Sequence, residues 1–188
     1  MTSLQEGFIF LIKTLIDLYL FVLIIRFLLA YARADYFNPL TQLMVRLSNP
    51  IIVPVRKIIP NVRGIEFSSL LLIYIIDLLK FMIIALMGGL MININGLFIV
   101  ALGDVLHLFI QVFTVALFLY VIMSWVQPFS PMQNILYKIV SPLVSPFQRI
   151  IPPVAGFDLS IIPAFIVLQL ISIVLVNPII SWGLQITS

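Results

Sequence analysis

Seven side chains able to carry or move charge stand inside apolar stretches: Lys13, Asp17, Arg26, Asp77, Lys80, Asp104 and His107. Each interrupts a run of leucine, isoleucine, valine and phenylalanine long enough to cross a bilayer. An ionised group at bilayer depth is expensive, so it marks either a path for an ion or proton or a set of buried ion pairs. Lys13 and Asp17 stand four apart and Asp77 and Lys80 three apart, so each pair can meet along its own helix. Depth counted from the helix ends instead sets Asp17 level with Lys80 and Lys13 level with Asp104, with His107 close enough to join. Asp77 is then left for Lys80 or for the long arm of Arg26. The acids and bases of this set sum to zero, which favours fixed salt bridges over ion passage.

A second set of basic residues lies outside the apolar runs. Arg33, Arg46, Arg56, Lys57, Arg63, Lys138 and Arg149 all fall in two long connections punctuated by proline. Arg56, Lys57 and Arg149, with Arg46 and Lys138, are the candidates for contact with anionic lipid or a protein partner. A basic side chain near an anionic surface is worth about 1 kcal/mol. Arg56, Lys57 and Arg149 are expected to face the headgroups. The plainer alternative is that these segments only set topology and pack the bundle.

Chemistry beyond charge pairing has little support. His107 is the single histidine, and one histidine with Asp104 makes a poor metal site. No serine at matching depth completes a triad, and metalloprotease, Walker and glycine-rich phosphate motifs are absent. The lack of cysteine excludes disulfides and thiolate chemistry. The chain therefore reads as a non-enzyme without cofactor or metal, whose partner is the bilayer and not nucleic acid.

Composition requires the elements that hold these residues to be membrane spans. Of 188 residues, 63% are hydrophobic and 9% charged, with mean hydropathy +1.25. No soluble fold hides so much apolar surface. The pattern predicts an all-α membrane protein with four spans, near 8–30, 68–91, 97–123 and 160–182. The first is too long and too charged for a cleaved signal and reads as retained. Asn93 to Gly96 reads as a very short turn. A kink or end is expected at Asn177-Pro178.

Each long connection opens with a helix too short to span. Asn38-Pro39 and Ser130-Pro131 provide an N-cap and a first-turn proline. Leu40, Leu43, Met44 and Leu47 share one face, with Thr41, Gln42 and Arg46 opposite. In the second, Met132, Ile135, Leu136 and Ile139 oppose Gln133, Asn134 and Lys138. These are expected to lie in the headgroup interface. Pro50, Pro54 and Pro60, like Pro142, Pro146 and Pro152, should break the chain that follows into short pieces. Gly64 and Gly156 permit a turn, and Glu66 with Ser68, or Asp158 with Ser160, cap the next span.

All of this occurs twice. The stretch from Pro50 to Ser68 recurs 92 residues on as Pro142 to Ser160, with prolines, isoleucines, glycine, acid and serine in register. Residues 1–92 and 93–188 thus read as two repeats of one membrane domain. Each has two spans, so the copies should lie parallel about an axis along the membrane normal. The basic residues put both long connections in the cytoplasm and both termini outside.

The doubled N/S-P…P-x3-P-x-[RQ]-[KR]-I-I-P-x3-G-x-[DE]-x-S pattern resembles the YggT family of small bacterial membrane proteins, also called YlmG, in its two-repeat form. The likeness runs over nearly the whole chain, departing at Glu66, where aspartate is commoner, and at Gln148, which replaces a cation. The resemblance implies an integral protein of the bacterial cytoplasmic membrane with no assigned enzymatic activity. Relatives are associated with cell or plastid division, envelope maintenance, osmotic tolerance and cytochrome assembly. The leading expectation is a scaffold presenting two basic, proline-rich segments to anionic lipid or a protein partner. The alternative is a small channel or transporter acting in osmotic or ion balance as a homo-oligomer.

Overall fold

The computed structural model describes residues 3–59, 66–88, 93–128, 130–151 and 158–187. Pro60, Gly64, Pro152 and Gly156 of the repeated pattern lie outside these. Helices α1 (Ser3–Tyr31), α2 (Pro39–Ile58), α3 (Phe67–Gly88), α4 (Ile94–Val126), α5 (Pro131–Gln148) and α6 (Ile161–Thr187) make an all-α protein. Four of them, α1, α3, α4 and α6, are long and apolar enough to cross a membrane. Phe8, Phe10, Phe118, Ile173 and Val174 stand largely exposed along these four. Only acyl chains make such a surface stable.

Helix α1 packs against α3, and α4 against α6. Helix α2 rests on α1 and α3, as α5 rests on α4 and α6. Contacts of α4 with α3 and α1 join the two groups, and the Tyr74 hydroxyl donates to the Phe98 carbonyl at 3.1 Å across that junction. Leu20, Leu23, Ile24 and Ile73 are wholly buried at the heart of the α1–α3 contact.

The caps form as the sequence predicts. Asn38 accepts from the Leu40 N–H at 2.9 Å, and Ser130 from the Gln133 N–H at 3.1 Å. The interior prolines do not act as expected. Helix α2 runs unbroken through Pro50 and Pro54, and α5 through Pro142 and Pro146. A four-residue spacing puts each proline pair on one exposed face, so the carbonyls left without donors open outward. The cost of a missing bond falls where an outside donor can replace it.

The buried face of α2 is also rotated from the expectation. Thr41, Met44, Ser48 and Ile52 turn inward, while Leu43 and Leu47 are exposed. In α5 the expected face holds, with Ile135, Leu136 and Ile139 buried.

Two further corrections concern the second half. Asn93 is not in a free turn: its side chain accepts from the Asn95 N–H, and α4 begins at Ile94. Asn177-Pro178 does not end α6, but the α-helical pattern is broken just before it. A π-helical turn, Ser172–Val176, precedes it, in which the Asn177 N–H reaches back five residues to the Ser172 carbonyl. That wider turn eases the proline ring past the preceding carbonyls.

Close approach of α4 and α6 depends on glycine. A Cβ on Gly183 would come within 2.8 Å of the Val100 backbone nitrogen, and one on Gly96 within 2.7 Å of the Gly183 carbonyl. Backbone cannot yield as a side-chain tip can. Gly183→Ala is therefore expected to destabilise the protein by about 1–3 kcal/mol, lowering its melting temperature in detergent. Gly7→Ala, with nothing within 4 Å of its Cβ, is the neutral control.

Candidate functional site: charges buried between the spans

Lys80 is fully buried on the α1-facing and α4-facing side of α3, where no water can solvate its ammonium. Three carboxylates from three helices converge on it. Nζ lies 2.7 Å from Asp17 Oδ1 of α1 and 2.5 Å from Asp104 Oδ2 of α4, donating to both. Asp77 Oδ1, one turn back on α3, is 2.5 Å away as an ion contact outside hydrogen-bond geometry. The Phe81 ring, 4.8 Å from Nζ, closes another side.

Depth gives the Asp17–Lys80 pair correctly, and the three-residue spacing along α3 gives Asp77–Lys80. The Lys13–Asp104 pair is overturned: Asp104 turns to Lys80, and Lys13 is exposed with no ion pair among the described residues. Depth fixes a level but not the rotation of a helix, and Asp104 faces α3. Arg26 does not reach Asp77 either. The local balance changes with it, because three carboxylates now share one ammonium. Their oxygens lie within 4.8 Å of one another, as ligands of a cation would, but the ammonium already occupies the space between them.

A polar cleft of about 300 Å3 borders the cluster, lined by Lys13, Asp17, Asp104, His107, Gln111 and Asn177. His107 does not bond Asp104. Its Nε2 is 3.0 Å from Gln111 Nε2, an amide donor, which leaves Nδ1 to carry the proton toward Ser172 Oγ at 3.5 Å. That is a structural hydrogen-bond arrangement linking α4 to α6.

The other end of the α1–α3 pair holds a second group. Arg26 is 5% exposed, and its Nη1 donates to Ser48 Oγ and Asn49 Oδ1, both at 2.7 Å. Its Nε stands 3.8 Å from Glu66 Oε2. Glu66 also receives Arg56 Nη2, and it accepts from Ser69 Oγ at 2.8 Å. Arg56, its side chain 40% exposed, thus also acts as a clamp that ties the end of α2 to the start of α3. Ser68 is buried with no hydrogen bond from its hydroxyl among the described residues, and Ser69 partners the acid.

The second half repeats this clamp with different chemistry. Gln148 Nε2 donates to Asp158 Oδ2 at 2.6 Å, and Asp158 Oδ1 accepts from Ser160 through its N–H at 3.1 Å and through its hydroxyl. An arginine–glutamate pair in one half becomes a glutamine–aspartate pair in the other. Sequence reasoning missed this, although the paired change from Arg56 to Gln148 and from Glu66 to Asp158 signals it. It also missed Ser48 and Asn49, whose neighbours across the repeat, Val140 and Ser141, carry no matching pair. Arg46, Lys57, Lys138 and Arg149 are exposed and make no ion pair among the described residues.

Four apolar spans folded around buried ion pairs define a multi-pass membrane protein. The CCB3/YggT family model matches the chain twice, over residues 5–87 and 99–179, and the chain belongs to that family. A Pseudomonas aeruginosa protein is 38% identical over 94% of this chain and 92% of its own length. A Vibrio alginolyticus protein is 38% identical over 85% of this chain and 88% of its own. The Escherichia coli protein named YggT is 35% identical over 86% and 84%. All three bear the name uncharacterized. No solved structure matches.

The cluster predicts an order of losses. Lys80→Met strands three carboxylates and is expected to cost about 3–5 kcal/mol. Asp17→Asn should cost less, because its carboxylate is 28% exposed and Lys80 keeps two partners. Unfolding of the purified protein in a detergent titration reads both. A Lys80→Met chain as resistant as the parent would remove the ammonium from its central role.

Proposed function

We propose that the protein is a scaffold of the bacterial cytoplasmic membrane whose α2 and α5 lie at the headgroup level and offer basic side chains to anionic lipid or a protein partner. One observation carries this reading. Both helices are clamped to the following span, by Arg56–Glu66 and by Gln148–Asp158, while Arg46, Lys57, Lys138 and Arg149 stay exposed. Fixed helices with free cations suit recognition better than transport. The positive-inside rule supports a cytoplasmic location for them, with both termini outside. An envelope, division or membrane-complex assembly role fits such a platform.

Replacing Arg46, Lys57, Lys138 and Arg149 together by glutamine tests it. At about 1 kcal/mol each, their loss should cut the enrichment of phosphatidylglycerol in co-purified lipid severalfold at low salt, with melting temperature kept. Unchanged enrichment, or lost stability, rejects the surface as a binding face. Cysteines at the same positions should react with an impermeant maleimide in inverted vesicles and not in intact cells.

A second reading, a small oligomeric channel or transporter, draws on the three carboxylates that share one ammonium beside a polar cleft. Against it, Leu20, Leu23, Ile24 and Ile73 lie fully buried along α1 and α3 between that cluster and Arg26, where a path would need polar lining. Proteoliposomes separate the two. The scaffold reading expects no potassium or proton flux above empty vesicles, and flux abolished by Asp104→Asn would install the second reading instead.

A further inference from the structure

A cleft of about 400 Å3 opens where the end of α1, the length of α2 and the start of α3 meet. Arg26, Tyr36, Thr41, Asn49, Arg56 and Glu66 line it. Among the described residues its charges do not balance: two guanidiniums face one carboxylate. Among the described residues, two of its polar atoms also lack a hydrogen bond. Arg56 Nε is buried without an acceptor, although Nη2 of the same side chain holds Glu66. Thr41 is 5% exposed, on the inward face of α2, and its hydroxyl has no partner. An unsatisfied buried donor is costly and calls for an acceptor. What is missing is an anion with several acceptor oxygens, and arginine is the side chain best shaped for phosphate.

We propose that this cleft is a binding site for one phosphate group, that of an anionic phospholipid. Arg26 lies five residues before the end of α1, about 7 Å along the helix axis. The cleft therefore stands near the depth at which headgroup phosphates lie. The proposal deepens the scaffold reading, on which the placement of α2 at that depth rests. It adds a single saturable site to a diffuse basic surface.

The second half serves as a built-in comparison. There the residues matching Arg26, Thr41, Asn49, Arg56 and Glu66 are Phe118, Gln133, Ser141, Gln148 and Asp158. Both guanidiniums are gone, and the amide of Gln148 satisfies the acid. A polar cleft lies on that side too, lined by Tyr120, Ser130, Gln133, Asn134 and Tyr137, with no cation in its lining. The site thus belongs to the first half, giving one lipid per chain.

The same comparison supplies a variant that should fold. Arg56→Gln with Glu66→Asp installs the pair already present between α5 and α6. Native mass spectrometry of the full chain in mild detergent, titrated with phosphatidylglycerol, reads the site. The parent should retain one lipid per chain at low lipid concentration. The double variant, checked for an unchanged melting temperature, should bind it at least tenfold more weakly, and Thr41→Val severalfold more weakly. Equal binding by the parent and the folded double variant overturns the site, as does a parent that holds no lipid in one-to-one ratio. If inorganic phosphate or glycerol phosphate binds one-to-one and displaces the lipid at equal concentration, the ligand is a soluble anion and the lipid assignment falls. The fourfold glutamine variant of the exposed cations separates the two readings. One bound lipid kept alongside lost bulk enrichment supports both; one bound lipid kept with enrichment unchanged rejects the surface alone; loss of the single lipid there but not in the double variant rejects the cleft alone.

Discussion

An ammonium group buried in a bilayer-spanning bundle must bring its own solvation, and Lys80 does so by drawing carboxylates from three helices. Its hydrogens need acceptors that the apolar surroundings do not offer. Asp17 and Asp104 meet that need, with Asp77 adding its charge alongside, and in doing so they fix α1, α3 and α4 in rotation and in depth. Because Asp104 belongs to the second half, the contact also holds the halves together. Apolar packing between spans is only weakly directional, since a lipid tail is as good a neighbour as leucine. A buried charge is different, and admits one arrangement.

Once the spans are fixed, polar groups separate into two layers. Along α1 the order is Asp17, then Leu20, Leu23 and Ile24, then Arg26. Along α3 the reverse order runs from Glu66 through Leu72 and Ile73 to Asp77 and Lys80. The apolar slab between them raises the Coulomb attraction within each layer by excluding water. It also sets the two layers apart electrostatically, one with excess carboxylate and the other with excess guanidinium. The acids and bases of the spans balance in total and not locally, because Lys13 and Arg26, which stand outside the cluster, supply the two positive charges it lacks.

How much of this the sequence reveals depends on the range of the interaction. Caps at Asn38 and Ser130 are local, and both were legible from residue type and a following proline. The four spans were legible because hydropathy sums over about twenty residues. Asp17 with Lys80 was legible because depth in a membrane is a single coordinate. Asp104 was not, because its choice between Lys13 and Lys80 rests on which way α4 is turned. The prolines misled for a related reason. Pro50 and Pro54 are breakers only if the carbonyls they strand are buried, and exposure is a property of the packed helix. The pairing of Arg56 with Glu66 was not legible, because the two meet across a connection whose path spacing does not give.

The clamps show how duplicated halves come to do different work. Each must tie the end of a proline-bearing helix to the start of a span, and an acid at the span's start serves as anchor in both. Aspartate already accepts from Ser160, and needs only an amide donor to finish the task, as Gln148 supplies. Glutamate reaches further and takes a guanidinium, and a guanidinium has donors left after one carboxylate is served. Arg56 therefore does what Gln148 does and keeps Nε unspent, beside a buried arginine, Arg26, that the other half lacks. Both pairs tie the same two elements together. The donor left on Arg56 is not used by the clamp, and it is what the proposed phosphate would take up.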